Sequence, residues 1–102
     1  FPRGIEDSAE RLDNRETKLK YVVHGEMNAI YNACYNGTSL EGSTMYVTGL
    51  PTCSDCAKGV IQVGIKRVVW PKELENVEER WKESIELTMS MFDEAGVKYE
   101  FV

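Results

Sequence analysis

The sequence predicts a single α/β domain with at least part of its sheet parallel. Short β-branched and aromatic runs alternate with stretches whose apolar residues recur at helical spacing. Glycine, proline and one Asn-Gly pair punctuate the joins. The 102 residues suffice for one domain around one core, so residues 1–102 are read as a single unit.

Residues 1–16 are polar and charged, and read as a loop holding a short helix. From Thr17 to Cys34 the apolar positions are Leu19, Val22, Val23, Met27, Ile30, Tyr31 and Cys34. Their gaps fit a period of 3.6 and predict a helix over much of the stretch. Val22 and Val23 could instead be extended, with the helix starting near His24. Asn36-Gly37 ends it, since both residues tolerate positive φ.

Thr44–Thr48 reads as a strand and Gly49–Thr52 as a turn. A helix from about Ser54 to Val63 is closed by Gly64. Lys66–Trp70 is a second strand, stopped by Pro71. Val77, Trp81, Ile85, Thr88, Met89, Phe92 and Ala95 mark a long amphipathic helix ending at Gly96. Lys98–Val102 is the last strand. A sheet of three strands that opens on a helix is thin, and the chain begins at Phe1 in a loop-like Phe1-Pro2-Arg3-Gly4. Further N-terminal strands are therefore expected in the natural protein.

The composition is that of a soluble globular protein. No apolar run reaches the length of a membrane span. The start lacks a basic segment followed by an apolar one, so no signal peptide is expected. Twelve basic against seventeen acidic residues give a net charge of −5, which argues against a nucleic-acid partner. One small phosphate held by local groups remains compatible with it. Three cysteines are an odd number, and a metal or redox site in the cytoplasm explains them better than a disulfide framework.

Cys53 and Cys56 stand three apart at the start of a predicted helix, so both sulfurs can reach one ion. The helix N-terminus also favours thiolate. Alone, a C-x-x-C fits metal and redox chemistry equally. His24, the single histidine, adds an imidazole, and one nitrogen with two thiolates is a zinc set. Cys34 lies ten residues beyond His24, about 15 Å along a helix, too far to share the ion. It completes the apolar stripe and is assigned to the core. Three ligands leave an open position, the mark of catalytic rather than structural zinc. Glu26 is close enough in sequence to serve as the proton acceptor there, although spacing alone does not aim it.

His24-Gly25-Glu26 followed by Pro51-Thr52-Cys53-Ser54-Asp55-Cys56 resembles the H-x-E…P-C-x-x-C signature of zinc-dependent nucleobase deaminases. Tyr21–Ile30 is similar to the HAE-x-N-A-I segment of deoxycytidylate (dCMP) deaminases. Thr44–Val47, Cys56–Lys66 and Ala95-Gly96-Val97 resemble later parts of that family, and Phe1–Gly4 the tail of its opening loop. The resemblance implies a cytidine-deaminase-like three-layer α/β/α sandwich with a mixed sheet, its N-terminal part missing from this chain. It implies hydrolysis of dCMP to dUMP and ammonia, with Zn²⁺ on His24, Cys53 and Cys56 and with Glu26 moving protons. Asn28, Pro51 and Thr52 are then expected beside the substrate. The loop from Arg3 to Asp7 is expected near a nucleotide-triphosphate regulatory site, and a homo-oligomer is implied.

The sequence departs from the family pattern in three places. Gly25 replaces the usual Ala. Thr52 lengthens the Pro-Cys step by one residue, which changes the loop over the pyrimidine. The N-terminal helix, first two strands and sugar-contacting Asn of the family are not in this sequence. The same chemistry also serves cytidine, guanine, pteridine-type and tRNA substrates; the match around Asn28 and after Cys56 favours dCMP. An inactive zinc-stabilised nucleotide-binding domain leaves Glu26 unexplained. A C-x-x-C redox protein leaves both His24 and Glu26 unexplained.

Overall fold

The computed structural model describes every residue except Asn76. Its elements are α1 (Ala9–Asp13), α2 (Arg15–Tyr21), α3 (Gly25–Tyr35), β1 (Thr44–Tyr46), α4 (Ser54–Gln62), β2 (Arg67–Trp70), a 3₁₀ turn (Lys72–Glu75), α5 (Glu79–Ala95) and β3 (Lys98–Phe101). The three strands lie in the order β1-β2-β3 and both pairings are parallel. The parallel α/β architecture expected from the alternating pattern is therefore present. No antiparallel strand occurs among the described residues.

The polar start is more helical than a loop. Ser8 caps α1 by accepting from the Arg11 N–H, and Asn14 caps α2 by accepting from the Thr17 N–H. The run from Thr17 to Cys34 is not one helix. It breaks at Val22, whose φ −70°, ψ 143° is extended, and α3 starts after His24. The extended alternative for Val22 and Val23 is the one found. Periodicity misses the break because apolar residues continue through it, and Leu19 is 56% exposed. Gly37, at φ 73°, ends α3, with the Thr38 N–H reaching the Ala33 carbonyl.

Both crossovers, β1–α4–β2 and β2–α5–β3, advance across the sheet in one direction. Right-handed connections then place α4 and α5 on the same face, where they pack on each other, and α3 packs on α4. The core is built on Ala57 and Val60 of α4, Val68 and Trp70 of β2, and Phe92 of α5. Trp70 packs its ring on Phe101 at 5.2 Å and on Phe92 at 6.3 Å between centroids.

Cys34 does not belong to this core; it is exposed. Ile30 is the one buried residue of α3. One turn later Cys34 continues the apolar stripe in sequence but not in burial. No helix among the described residues is long and apolar enough to cross a membrane.

Candidate metal centre

Two helix starts converge. His24 is the N-cap of α3 and Cys53 the N-cap of α4, and neither side chain caps its own helix. Both are thus free to point elsewhere. Cys56 follows in the first turn of α4 and is buried. The two helices approach closely because α4 carries Gly59 where α3 passes. A Cβ built there would fall 2.5 Å from Met27 Sδ.

His24 Nδ1 lies 3.5 Å from Cys53 Sγ and 3.4 Å from Cys56 Sγ. All three donor atoms fall within 4.8 Å of one another. Zinc–sulfur and zinc–nitrogen bonds of about 2.3 and 2.0–2.1 Å at a tetrahedral angle separate S and N by about 3.5 Å. The donor set and its spacing therefore fit a zinc ion, with Nδ1 as the donor nitrogen. Cys34 has no part in the cluster.

Burial pushes the Cys56 thiol from 9.0 up to about 12, helped by the neighbouring Cys53 and by the charge of Glu26. A divalent cation would favour the ionised form of the buried Cys56 sulfur. Glu26 stands half-buried in the first turn of α3, close enough for its charge to be felt at Cys56.

A cavity of about 650 Å³ opens beside the cluster, lined by His24, Glu26 and Cys53. Pro51 lines it too. Asn28 is exposed and outside the lining. In a regular helix, the residue two after Glu26 points away from the face that Glu26 presents. Thr52 is also outside the lining. It is fully buried, and its hydroxyl accepts from Trp70 Nε1 at 3.1 Å, so its side chain faces the core rather than the cavity. Arg3 and Asp7 are not among the residues that line the cavity. Arg3 donates to Asn32 Oδ1 at 2.8 Å and stacks 4.2 Å over the Tyr35 ring, fixing the opening loop to the exposed side of α3.

Three lining groups escaped the sequence reading. Arg15 and Lys18 of α2 are the basic residues of the cavity wall, and Trp81 of α5 closes another side. Neither cation forms an ion pair among the described residues. They lie in a stretch whose polarity says only that it is solvated, and the break at Val22 that turns α2 toward the cavity is invisible to periodicity.

Residues 5–72 match the zinc-binding region of cytidine and deoxycytidylate deaminases. That region contains His24, Cys53 and Cys56, the cluster able to hold its metal. The chain is 41% identical over 98 residues to an uncharacterized deaminase in the luxG 3′ region of Aliivibrio fischeri, covering 96% of this chain and 63% of that protein. It is 40% identical over 106 residues to the deoxycytidylate deaminase of Homo sapiens, covering 97% of this chain and 54% of that one. It is 44% identical over 71 residues to the deoxycytidylate deaminase of Enterobacteria phage T2, covering 70% and 37%. The chain thus spans between about a third and two thirds of the length of these relatives.

Proposed function

Because this chain belongs to the cytidine and deoxycytidylate deaminases with a zinc-binding region, we propose that it hydrolyses dCMP to dUMP and ammonia. One observation carries the reading: His24 Nδ1 and two cysteine sulfurs converge within 4.8 Å at the edge of a cavity that Glu26 also lines. A purely structural zinc site needs a fourth protein ligand and no carboxylate beside it.

In this reading His24, Cys53 and Cys56 hold the ion, two thiolates balancing its charge. Bound there, zinc would supply a Lewis acid that lowers the pKa of the attacking water. Glu26 takes a proton from the attacking water and delivers it to ring N3, while the water oxygen bonds to C4. The carboxylate then passes the remaining proton to the amine, the C4–N bond breaks, and ammonia leaves. Apolar groups at Val22, Leu50, Pro51 and Trp81 suit the faces of a pyrimidine and a deoxyribose. Arg15 and Lys18 suit the 5′-phosphate and favour a nucleotide over a nucleoside.

The whole of residues 1–102 is one such domain in this reading. Its three unpaired thiols suit the reducing cytoplasm. The exposed edge of β1, with Tyr46 70% exposed, supports a homo-oligomer. A net charge of −5 speaks against nucleic acid as a partner.

The test is ammonia release from dCMP, deoxycytidine and guanine by zinc-loaded protein, with metal content measured alongside. Turnover of dCMP above the others supports the reading. Zinc-loaded protein that releases ammonia from guanine and not from dCMP overturns the substrate. Protein that binds no zinc overturns the site.

A further inference from the structure

Cys53 cannot cap the helix it begins, because its sulfur faces His24. The structure supplies the missing contacts from elsewhere, and they fall on the two residues that flank Cys53. On one side, the Ser54 N–H donates to Ser84 Oγ of α5 at 2.9 Å, and the Ser84 hydroxyl donates to Ser54 Oγ at 3.2 Å. A free N–H at the start of α4 is thus satisfied by a hydroxyl from another helix. On the other side, Thr52 is held twice. Its carbonyl accepts from Thr88 Oγ1 at 2.8 Å, closer than the Ser84 carbonyl that the same hydroxyl faces at 3.1 Å, and its hydroxyl accepts from Trp70 Nε1 at 3.1 Å.

Ser84 and Thr88 are four residues apart and so share one face of α5. Thr52, Trp70 and Thr88 are all fully buried. Broken hydrogen bonds here leave polar atoms with no water to turn to, so the bonds hold the backbone firmly. The extra residue that separates this chain from the usual Pro-Cys step is the residue they hold.

We propose that Ser84, Thr88 and Trp70 are positioning residues for the metal: they clasp Thr52 and Ser54 and so fix the Cys53 sulfur where it meets His24 Nδ1 and Cys56. The proposal rests on the reading of Cys53 as a zinc ligand. The need for such a clasp lies in the other ligands. His24 is exposed and its ring makes no capping bond to α3, so nothing in its own helix ties it. Cys56 is fixed by burial within α4. Cys53 sits at a loop–helix junction, and its freedom decides how well the trio is preorganised. Partners that orient metal ligands typically account for roughly 10–100-fold in affinity.

The experiment measures zinc affinity by chelator competition, at a temperature where every variant is folded. The variants are Thr88→Val, Thr88→Ser and the pair W70F/T52V. The control is Val97→Ala, a truncation of a buried residue outside the cavity lining, which lowers the melting temperature without touching the clasp. Cobalt-substituted protein gives a second readout, since its visible spectrum reports ligand geometry. Thr88→Val and W70F/T52V are expected to weaken zinc roughly 10-fold or more and to alter the cobalt spectrum. Thr88→Ser keeps the hydroxyl and is expected to restore both. Val97→Ala is expected to leave both unchanged. If Thr88→Val and the double variant lower only the melting temperature, as Val97→Ala does, the contacts are general packing and the proposal falls. If the parent protein itself takes up no zinc, the ligand reading fails first, and the clasp goes with it.

Discussion

His24 Nδ1 lies 3.5 Å from Cys53 Sγ although 29 residues separate them. Two helix starts meet at that distance, and neither residue spends its side chain on capping. One zinc per protomer is therefore expected on elemental analysis, and Cys53→Ser or Cys56→Ser is expected to lose the metal. A stoichiometry near zero in protein never exposed to chelator, or near two, would rule the site out.

Burial raises the Cys56 thiol to about 12 in the folded, metal-free chain, against 9.0 ordinarily. Between those values the folded chain keeps a proton that the unfolded chain releases. Stability of the metal-free protein should thus fall as pH rises from about 9 toward 12. Zinc must expel the same proton, so below about pH 12 this thiol alone should raise apparent affinity about tenfold for each unit by which the pH rises. Denaturation and chelator titrations over pH check both signs. Affinity flat with pH would mean that Cys56 is not a ligand.

Cys34→Ala is expected to retain zinc and to change stability by no more than about 0.5 kcal/mol, because the residue is exposed. A loss above about 2 kcal/mol would be the cost of a core truncation and would contradict its placement.

Gly25 opens α3 with an ordinary negative φ, and a Cβ added there meets nothing within 4 Å. Gly25→Ala should stabilise the protein by roughly 0.5–1 kcal/mol by restricting the unfolded chain and favouring helix. Zinc content should not change. Urea unfolding of both forms decides it, and a destabilised variant would mean that this helix start needs glycine.

The strands, the C-x-x-C helix and the end of α5 at Gly96 could be read from sequence because local pattern and local packing agree there. Thr44–Tyr46, Arg67–Trp70 and Lys98–Phe101 are β-branched or aromatic runs bounded by turn residues. The convergence of His24 with Cys53 and Cys56 followed from ligand chemistry, which needs no detailed fold. What could not be read depends on contacts distant in sequence. Cys34 extends the apolar stripe of α3 in sequence yet is exposed. The family resemblance implies Thr52 beside the substrate, and the fold gives its side chain a second partner. Its hydroxyl turns inward because Trp70, 18 residues on, offers a buried N–H. Arg15 and Lys18 become wall residues only when the chain breaks at Val22.

Those two cations make a separable prediction. Lys18→Met and Arg15→Met keep the length of the side chains and remove their charge. If they meet the 5′-phosphate, KM for dCMP should rise on the order of tenfold for each charge-assisted hydrogen bond removed. Deoxycytidine, which has no phosphate, should be handled as by the parent. Equal losses on both substrates would mean that the two residues shape the cavity without contacting phosphate.

Glu26 is where chemistry and metal binding come apart. The carboxylate lies two residues from His24, lines the cavity and is half-buried. Glu26→Gln preserves its size and hydrogen-bonding reach but cannot accept a proton from water and return it to the leaving amine. Zinc content should stay at that of the parent, because the atoms able to hold the ion are His24 Nδ1 and the two sulfurs, not the carboxylate. Loss of a positioned general base costs on the order of 10²–10⁴ in rate, and one carboxylate serving successive transfers places the expectation at the upper end. The measurement is ammonia release from dCMP with metal content determined on the same sample. Full zinc with turnover near background supports Glu26 as the proton carrier. Full zinc with near-parental turnover would assign the transfers to another group, and Glu26 would then be only a charge beside the Cys56 thiol.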